Sequence, residues 1–139
     1  LIFPEAKIVH CKRDAMDVCF SNFKNNFSSK TIGFSYNLQK LGQYFNLYSD
    51  LMIFWKEIFK DEVFDLSYEE LISNQEETTK RLLNFCNLEW DPNCLSPHKN
   101  TKTVSTASLA QVRSPVYKSS IKKWEKFSNE LGELKNIIK

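Results

Sequence analysis

The stretch KIVHCKRDAMDVCFSNF, residues 7–23, limits the possible folds more than any other part of the chain. Two periods meet in it end to end. Lys7 to Cys11 reads as a short buried strand, with Ile8 and Val9 supplying its β-branched core. From Met16 the apolar positions Met16, Cys19, Phe20, Phe23 and Phe27 fall at i, i+3, i+4, i+7 and i+11, one stripe of a helix. Asp14 stands at the N-cap position, where its carboxylate can accept free amide hydrogens of the first turn. The unit is strand, tight turn, helix, and Arg13 stands at the turn.

The same signals recur downstream. SSKTIGFSYN reads as a loop, and Leu38, Leu41, Phe45, Tyr48, Met52, Trp55 and Phe59 then alternate steps of three and four, predicting a long helix with one apolar face. Val63, Phe64 and Leu66 make a second short strand, from which Ser67 or Tyr68 leads into helix. Asn74 caps the next helix, backed by Leu82, Leu83, Phe85 and Cys86. Pro92 and Pro97 mark an irregular stretch, a third strand is possible after Thr101, and residues 119–138 close the chain with one or two helices. The order β, α, α, β, α, loop, α predicts a parallel α/β sheet with helices on its faces. Two strands alone cannot satisfy their edges or bury so many aromatic helices, so further strands are expected upstream of Leu1.

Composition narrows the function. A net charge of +2 is too small to point to nucleic acid, and no run approaches the roughly 20 apolar residues of a membrane helix. Cys11, Cys19, Cys86 and Cys94 form no CxxC, and His10 and His98 have no ligand spacing around them. The cysteines therefore read as buried thiols in a reducing compartment, and no carboxylate pair is spaced for Mg²⁺.

What remains is a set of groups suited to an anion. At the end of a parallel strand, ligands meet helix N-terminal amides that carry partial positive charge. Arg13 sits there with a guanidinium that can hold a phosphate through two parallel hydrogen bonds. Ser21, eight residues on, lies one residue off the apolar stripe, which leaves its hydroxyl uncommitted to the core. The same arginine could instead pair with Asp14 or Asp17. A second polar and basic segment contains Ser105, Ser108, Arg113, Tyr117, Lys118 and Lys123, just before Trp124; it could wrap an anionic ligand or form a solvated loop.

These motifs together resemble the C-terminal half of a sulfotransferase that uses 3′-phosphoadenylyl sulfate, PAPS. The likeness is to the tyrosylprotein sulfotransferases and to the bacterial sulfotransferases that carry tetratricopeptide repeats. Arg13-Asp14 with Ser21 matches the strand-end Arg-Asp and its following serine, and Tyr68-Glu69-Glu70-Leu71 matches a "YEEL"-like motif. Ser108, Gln111-Val112, Pro115 and Lys123-Trp124 match the late motif in order and spacing. The resemblance implies an α/β fold, part of a P-loop-like parallel sheet sandwiched by helices, with the N-terminal strands absent from the chain. It also implies that residues 1–139 are the C-terminal portion of one sulfotransferase domain, inactive alone.

By the same resemblance Arg13 and Ser21 hold the 3′-phosphate and Tyr68 contacts the nucleotide. Ser108 stabilises charge on the transferring sulfuryl group, and the loop of Ser108, Gln111, Val112, Arg113, Pro115 and Tyr117, with Lys123, clasps the nucleotide. One position departs from the animal enzymes: where they carry a second arginine, this chain has Asn25, beside Lys24. PAPS is the implied co-substrate, with no metal. The acceptor is a hydroxyl of a protein tyrosine, a carbohydrate or a small molecule. The partners expected are that acceptor and an N-terminal half, which carries tetratricopeptide repeats in the bacterial relatives, with no nucleic acid and no membrane. In-line sulfuryl transfer asks the protein to position groups, neutralise charge and take the acceptor's proton. The base and the 5′-phosphosulfate loop are expected upstream of Leu1, and His10, inside the strand, is set aside as a base. Animal relatives point to the Golgi lumen, bacterial ones to the cytoplasm; the unpaired cysteines favour the cytoplasm. A non-catalytic nucleotide-binding module and a nucleotide kinase-like phosphotransferase are the competing functions.

Overall fold

The computed structural model describes Phe3 and residues 5–27, 30–100 and 120–139. The elements are β1 (Ile8–Lys12), α1 (Ala15–Lys24), α2 (Leu38–Phe59), β2 (Val63–Ser67), α3 (Tyr68–Ser73), α4 (Gln75–Phe85) and α5 (Gly132–Ile137), joined in places by 3₁₀ turns. β1 and β2 pair in a two-stranded parallel sheet, and the class is mixed α/β. The third strand considered after Thr101 lies outside the described residues. No described helix is long and apolar enough to cross a membrane. The chain divides into two units, Leu1–Lys12 with Phe64–Ser119, and Arg13–Val63 with Ser120–Lys139.

The first unit holds the sheet with α3 and α4. Phe64 of β2 meets Phe85 of α4 with ring centroids 5.2 Å apart, and Lys7 lies over the same Phe85 ring. Ser67 starts α3 by accepting the Glu70 amide hydrogen at 3.3 Å, as a Ser-x-x-Glu sequence favours. Asn74 occupies the N-cap of α4 but makes no side-chain cap bond, contrary to expectation. The short link from α3, whose last turn the Asn74 N–H closes on the Glu70 carbonyl at 2.8 Å, leaves Asn74 at φ −133° and ψ 57°, away from the extended backbone of a side-chain-capping residue. A second expectation also fails. β1 is exposed along most of its length, Ile8 and Val9 included, because among the described residues β2 is its only strand neighbour.

The second unit carries the core. Met16 and Cys19 of α1 meet Leu41 of α2 and Leu131 and Leu134 at the start of and within α5, with Phe20, Phe34, Leu38, Phe45, Trp124 and Ile138 packed around them. Burial of such side chains stabilises by about 1.5–3 kcal/mol each, which is what holds these helices together. Gly42 allows α2 and α5 to approach: a Cβ there would lie 2.8 Å from Ile137 Cγ2. Asn46 on α2 then ties off the end of α5, donating to the Ile137 carbonyl at 2.7 Å and accepting the Lys139 amide hydrogen at 3.2 Å.

Two predicted stripes are longer than the burial they receive. α1 stops at Lys24 and Asn25 turns extended, so Phe27 falls past the helix, where its amide hydrogen reaches the Tyr36 hydroxyl at 2.7 Å. α2 has the expected bounds, yet only its N-terminal half is covered. Leu47, Leu51, Ile53, Phe54, Trp55 and Ile58 all stand exposed, so the helix is apolar on more than the one predicted face.

Candidate anion-binding site

The strand-to-helix turn forms as its sequence demands. Asp14 caps α1, accepting the Asp17 amide hydrogen on Oδ1 at 2.9 Å. This satisfies one of the amides that an anion would otherwise meet at the helix N-terminus. With carboxylates at Asp14 and Asp17 beside the first turn, the N-terminus of α1 offers an anion fewer free amides and more negative charge than its sequence position alone implies.

Arg13 is half-buried beside this cap. Its Nη2 donates to the Ser120 carbonyl at 2.6 Å and lies 3.7 Å from Asp17 Oδ2, one helical turn on. Asp17 is only 1% exposed, and the same Oδ2 accepts the Lys122 amide hydrogen at 2.7 Å. The segment 120–122 is thereby fastened next to Arg13. Lys123, which follows, is exposed, so its ammonium is open to solvent. The two ends of the family-like pattern, the Arg-Asp turn and the Lys-Trp pair, are thus joined through Asp17. Trp124 packs against the core with Lys135 over its ring at 5.0 Å, and its buried indole N–H finds no acceptor among the described residues.

Ser21 is half-buried on α1, two turns beyond Arg13. Asn25 is the exposed C-cap of α1, and Lys24 lies over the Phe20 ring at 5.7 Å. Tyr68 opens α3 in the other unit. The acidic pair after it does structural work: Glu69 accepts from the Ser67 hydroxyl at 3.1 Å, and Glu70 pairs with Arg81. Ser108, Gln111, Val112, Arg113, Pro115 and Tyr117 lie outside the described residues.

Sequence reasoning weighed Asp17 only as a rival partner for Arg13 and did not see its hold on residues 120–122. A signal was present: an acidic residue between Met16 and Cys19, on the side of the helix that enters the core. The contribution of Ser120 and Lys122 had none, because both act through their backbones.

Other reactive groups sit in plain settings. His10 Nδ1 lies 2.9 Å from Asp65 Oδ1, across the sheet, and Lys12 reaches the other oxygen of Asp65 at 3.3 Å. All four cysteines are free, but Cys11 and Cys94 are exposed, which corrects the expectation of buried thiols. Their placement in an open strand and a 3₁₀ turn explains it. Cys19 is fully buried, and its thiol is pushed up to about 12, chiefly by burial and further by the Asp14 carboxylate. No group of three or more His, Cys, Asp or Glu side chains suited to a metal ion occurs among the described residues.

Of the candidate anion-binding residues, Arg13 is fixed at a strand end, Ser21 lies two turns along the following helix, and Lys123 stands exposed directly after the segment fastened to Asp17. Residues 1–92 match the profile of the Sulfotransferase family. The chain belongs to that family. As a family member it is also similar to an uncharacterized protein of Aquifex aeolicus (strain VF5), 36% identical over 140 residues. That match covers 99% of this chain and 18% of the relative, so this sulfotransferase-family chain spans less than a fifth of the relative's length.

Proposed function

We propose that this chain supplies the nucleotide-holding part of a PAPS-dependent sulfotransferase acting on a hydroxyl acceptor. The observation that carries the proposal is Arg13, held at the end of β1 by the Ser120 carbonyl and Asp17, with Lys123 in the segment so fastened. The donor chemistry fits the ligand: a guanidinium, a hydroxyl and an ammonium suit the 3′-phosphate of PAPS better than they suit a cation or an apolar molecule. PAPS, when bound, supplies the sulfuryl group and leaves as adenosine 3′,5′-bisphosphate.

In this proposal Arg13 and Ser21 bind and orient the 3′-phosphate. Tyr68 contacts the nucleotide, the loop from Ser108 to Tyr117 and Lys123 clasp it, and Ser108 steadies charge at the sulfuryl group. β1 and β2 belong to a P-loop-like parallel sheet, and residues 1–139 to the C-terminal part of one sulfotransferase domain. The kinship proposed is with tyrosylprotein and tetratricopeptide-repeat sulfotransferases, and the compartment is the cytoplasm, where the four free thiols would stay reduced.

The test is calorimetric titration with adenosine 3′,5′-bisphosphate against adenosine 5′-monophosphate. We expect the bisphosphate to bind about 10- to 100-fold tighter, as one well-held phosphate is worth. Arg13→Ala is expected to abolish that difference. Equal binding of the two nucleotides by the unaltered protein would overturn the proposal.

A further inference from the structure

We infer that Asp17 is a positioning residue for the phosphate site, setting the direction of Arg13 and the course of residues 120–123 through one buried carboxylate. This role rests on the nucleotide-binding proposal and adds a residue to it.

The first ground is burial. A carboxylate 1% exposed is expensive unless it is compensated. Here the compensation comes from one hydrogen bond, accepted from the Lys122 amide at 2.7 Å, from the charge of the Arg13 guanidinium at 3.7 Å and from the positive end of the α1 dipole. The other oxygen, Oδ1, has no hydrogen-bond partner among the described residues, so Oδ2 bears the whole pairing.

The second ground is closure. Arg13 Nη2 binds the Ser120 carbonyl, residues 120–122 run on, and the Lys122 amide returns to Asp17, which faces Arg13 again. This ring links Arg13, before α1, and Asp17, on it, to residues 107 and 105 positions away through a carbonyl, an amide and one carboxylate. The third ground is strain. Lys122 has φ 57° and ψ 25°, a left-handed conformation that a side chain disfavours and that persists where surrounding bonds hold it. The Asp17 hydrogen bond holds that residue, and Lys123 leaves directly from it. An ion pair serving stability alone would need neither the strained turn nor the carbonyl.

The experiment compares Asp17→Asn with the unaltered full-length chain, by calorimetry with adenosine 3′,5′-bisphosphate and with adenosine 5′-monophosphate. Asparagine keeps an acceptor for the Lys122 amide and removes the charge that faces Arg13. Affinity for the bisphosphate should fall about tenfold while that for the monophosphate stays within about twofold. A folding defect alone would weaken both alike. A folded Asn variant with the full preference for the bisphosphate overturns the positioning role and leaves the function intact. Absence of any preference in the unaltered chain overturns the function, and this role with it. Amide hydrogen exchange at Lys122 needs no variant, and serves if Asp17→Asn does not fold. Slower exchange on adding the bisphosphate supports the role, and an unchanged rate overturns it.

Discussion

Asp17 faces one basic side chain, Arg13, and Asp65 faces two, His10 and Lys12, and their surroundings differ in nearly every other respect. Asp17 lies between Met16 and Cys19 on a helix that enters the core, and it also accepts a backbone amide hydrogen. Asp65 stands on β2 with its side chain 25% exposed, meeting His10 and a Lys12 side chain that is 53% exposed. Among the described residues, every buried hydrophobic side chain except Ile72 belongs to the unit that holds Asp17. Water screens the Lys12–Asp65 pair, so it adds little to stability; exposed pairs of this kind contribute about 0–1 kcal/mol. Around Asp17 the core has removed the water. Such a pair brings little net stability when intact, but losing one member leaves the other buried and uncompensated. Similar side-chain chemistry thus becomes a structural tie in one place and a surface contact in the other.

The largest expected effect tests the buried side of this contrast. Asp17→Ala should cost about 3 kcal/mol in urea denaturation, since it strands the Arg13 guanidinium and the Lys122 amide together. A cost below about 1 kcal/mol would erase the difference between the two aspartates. Next comes the helix contact in the same unit. Gly42→Ala should destabilise by about 1–2 kcal/mol despite alanine's better helix propensity, because its methyl group meets Ile137. A rise in stability would mean that α5 yields there at no cost.

The pH dependence of Cys19 probes burial two residues from Asp17. Its thiol ionises near 9.0 when solvated and at about 12 in the fold. Above pH 9 the unfolded chain therefore loses a proton that the folded chain keeps, and unfolding is favoured. The stability from this group is complete below about pH 9 and fades as pH rises toward 12. By pH 10 the unaltered protein should lose about 1 kcal/mol more than Cys19→Ala does, measured as the difference between their urea midpoints at pH 8 and 10. The smallest effect belongs to the open pair. Lys12→Ala should change stability by no more than about 0.5 kcal/mol, and less in high salt. A loss equal to that of Asp17→Ala would make Asp65 a structural tie as well.

Much of the local structure was legible from particular residues. Ile8 and Val9 marked β1, Asp14 capped α1, and the stripe from Leu38 to Phe59 matched the bounds of α2. Ser67 announced α3 through its own hydroxyl. These signals are short-range, each set by a residue and neighbours within a turn or two. Errors arose where a distant partner decided the outcome. Phe27 continued the helical period, yet the Tyr36 hydroxyl took its amide hydrogen in a loop. Asn74 held the right position without the capping bond, because closing the preceding helix left its backbone outside the extended capping conformation. The apolar letters of α2 and β1 promised burial that a neighbour must supply.

The candidate site divides along the same line. Arg13, Ser21 and Lys123 could be chosen from the order and spacing of residues, since charge and hydroxyl chemistry belong to the side chain itself. Ser108 and the residues up to Tyr117 rest on that pattern alone. The sequence by itself determined which groups are present, where strands and helices begin, and that Arg13 sits at a strand end. Only the tertiary structure decided that Asp17 would be buried, that Arg13 would meet Ser120, and that Lys122 would turn left-handed to reach them. The physical reason is that a carbonyl and an amide are common to almost every residue. No residue type announces which distant carboxylate or guanidinium they will meet; packing of α1 against the C-terminal segment chooses it.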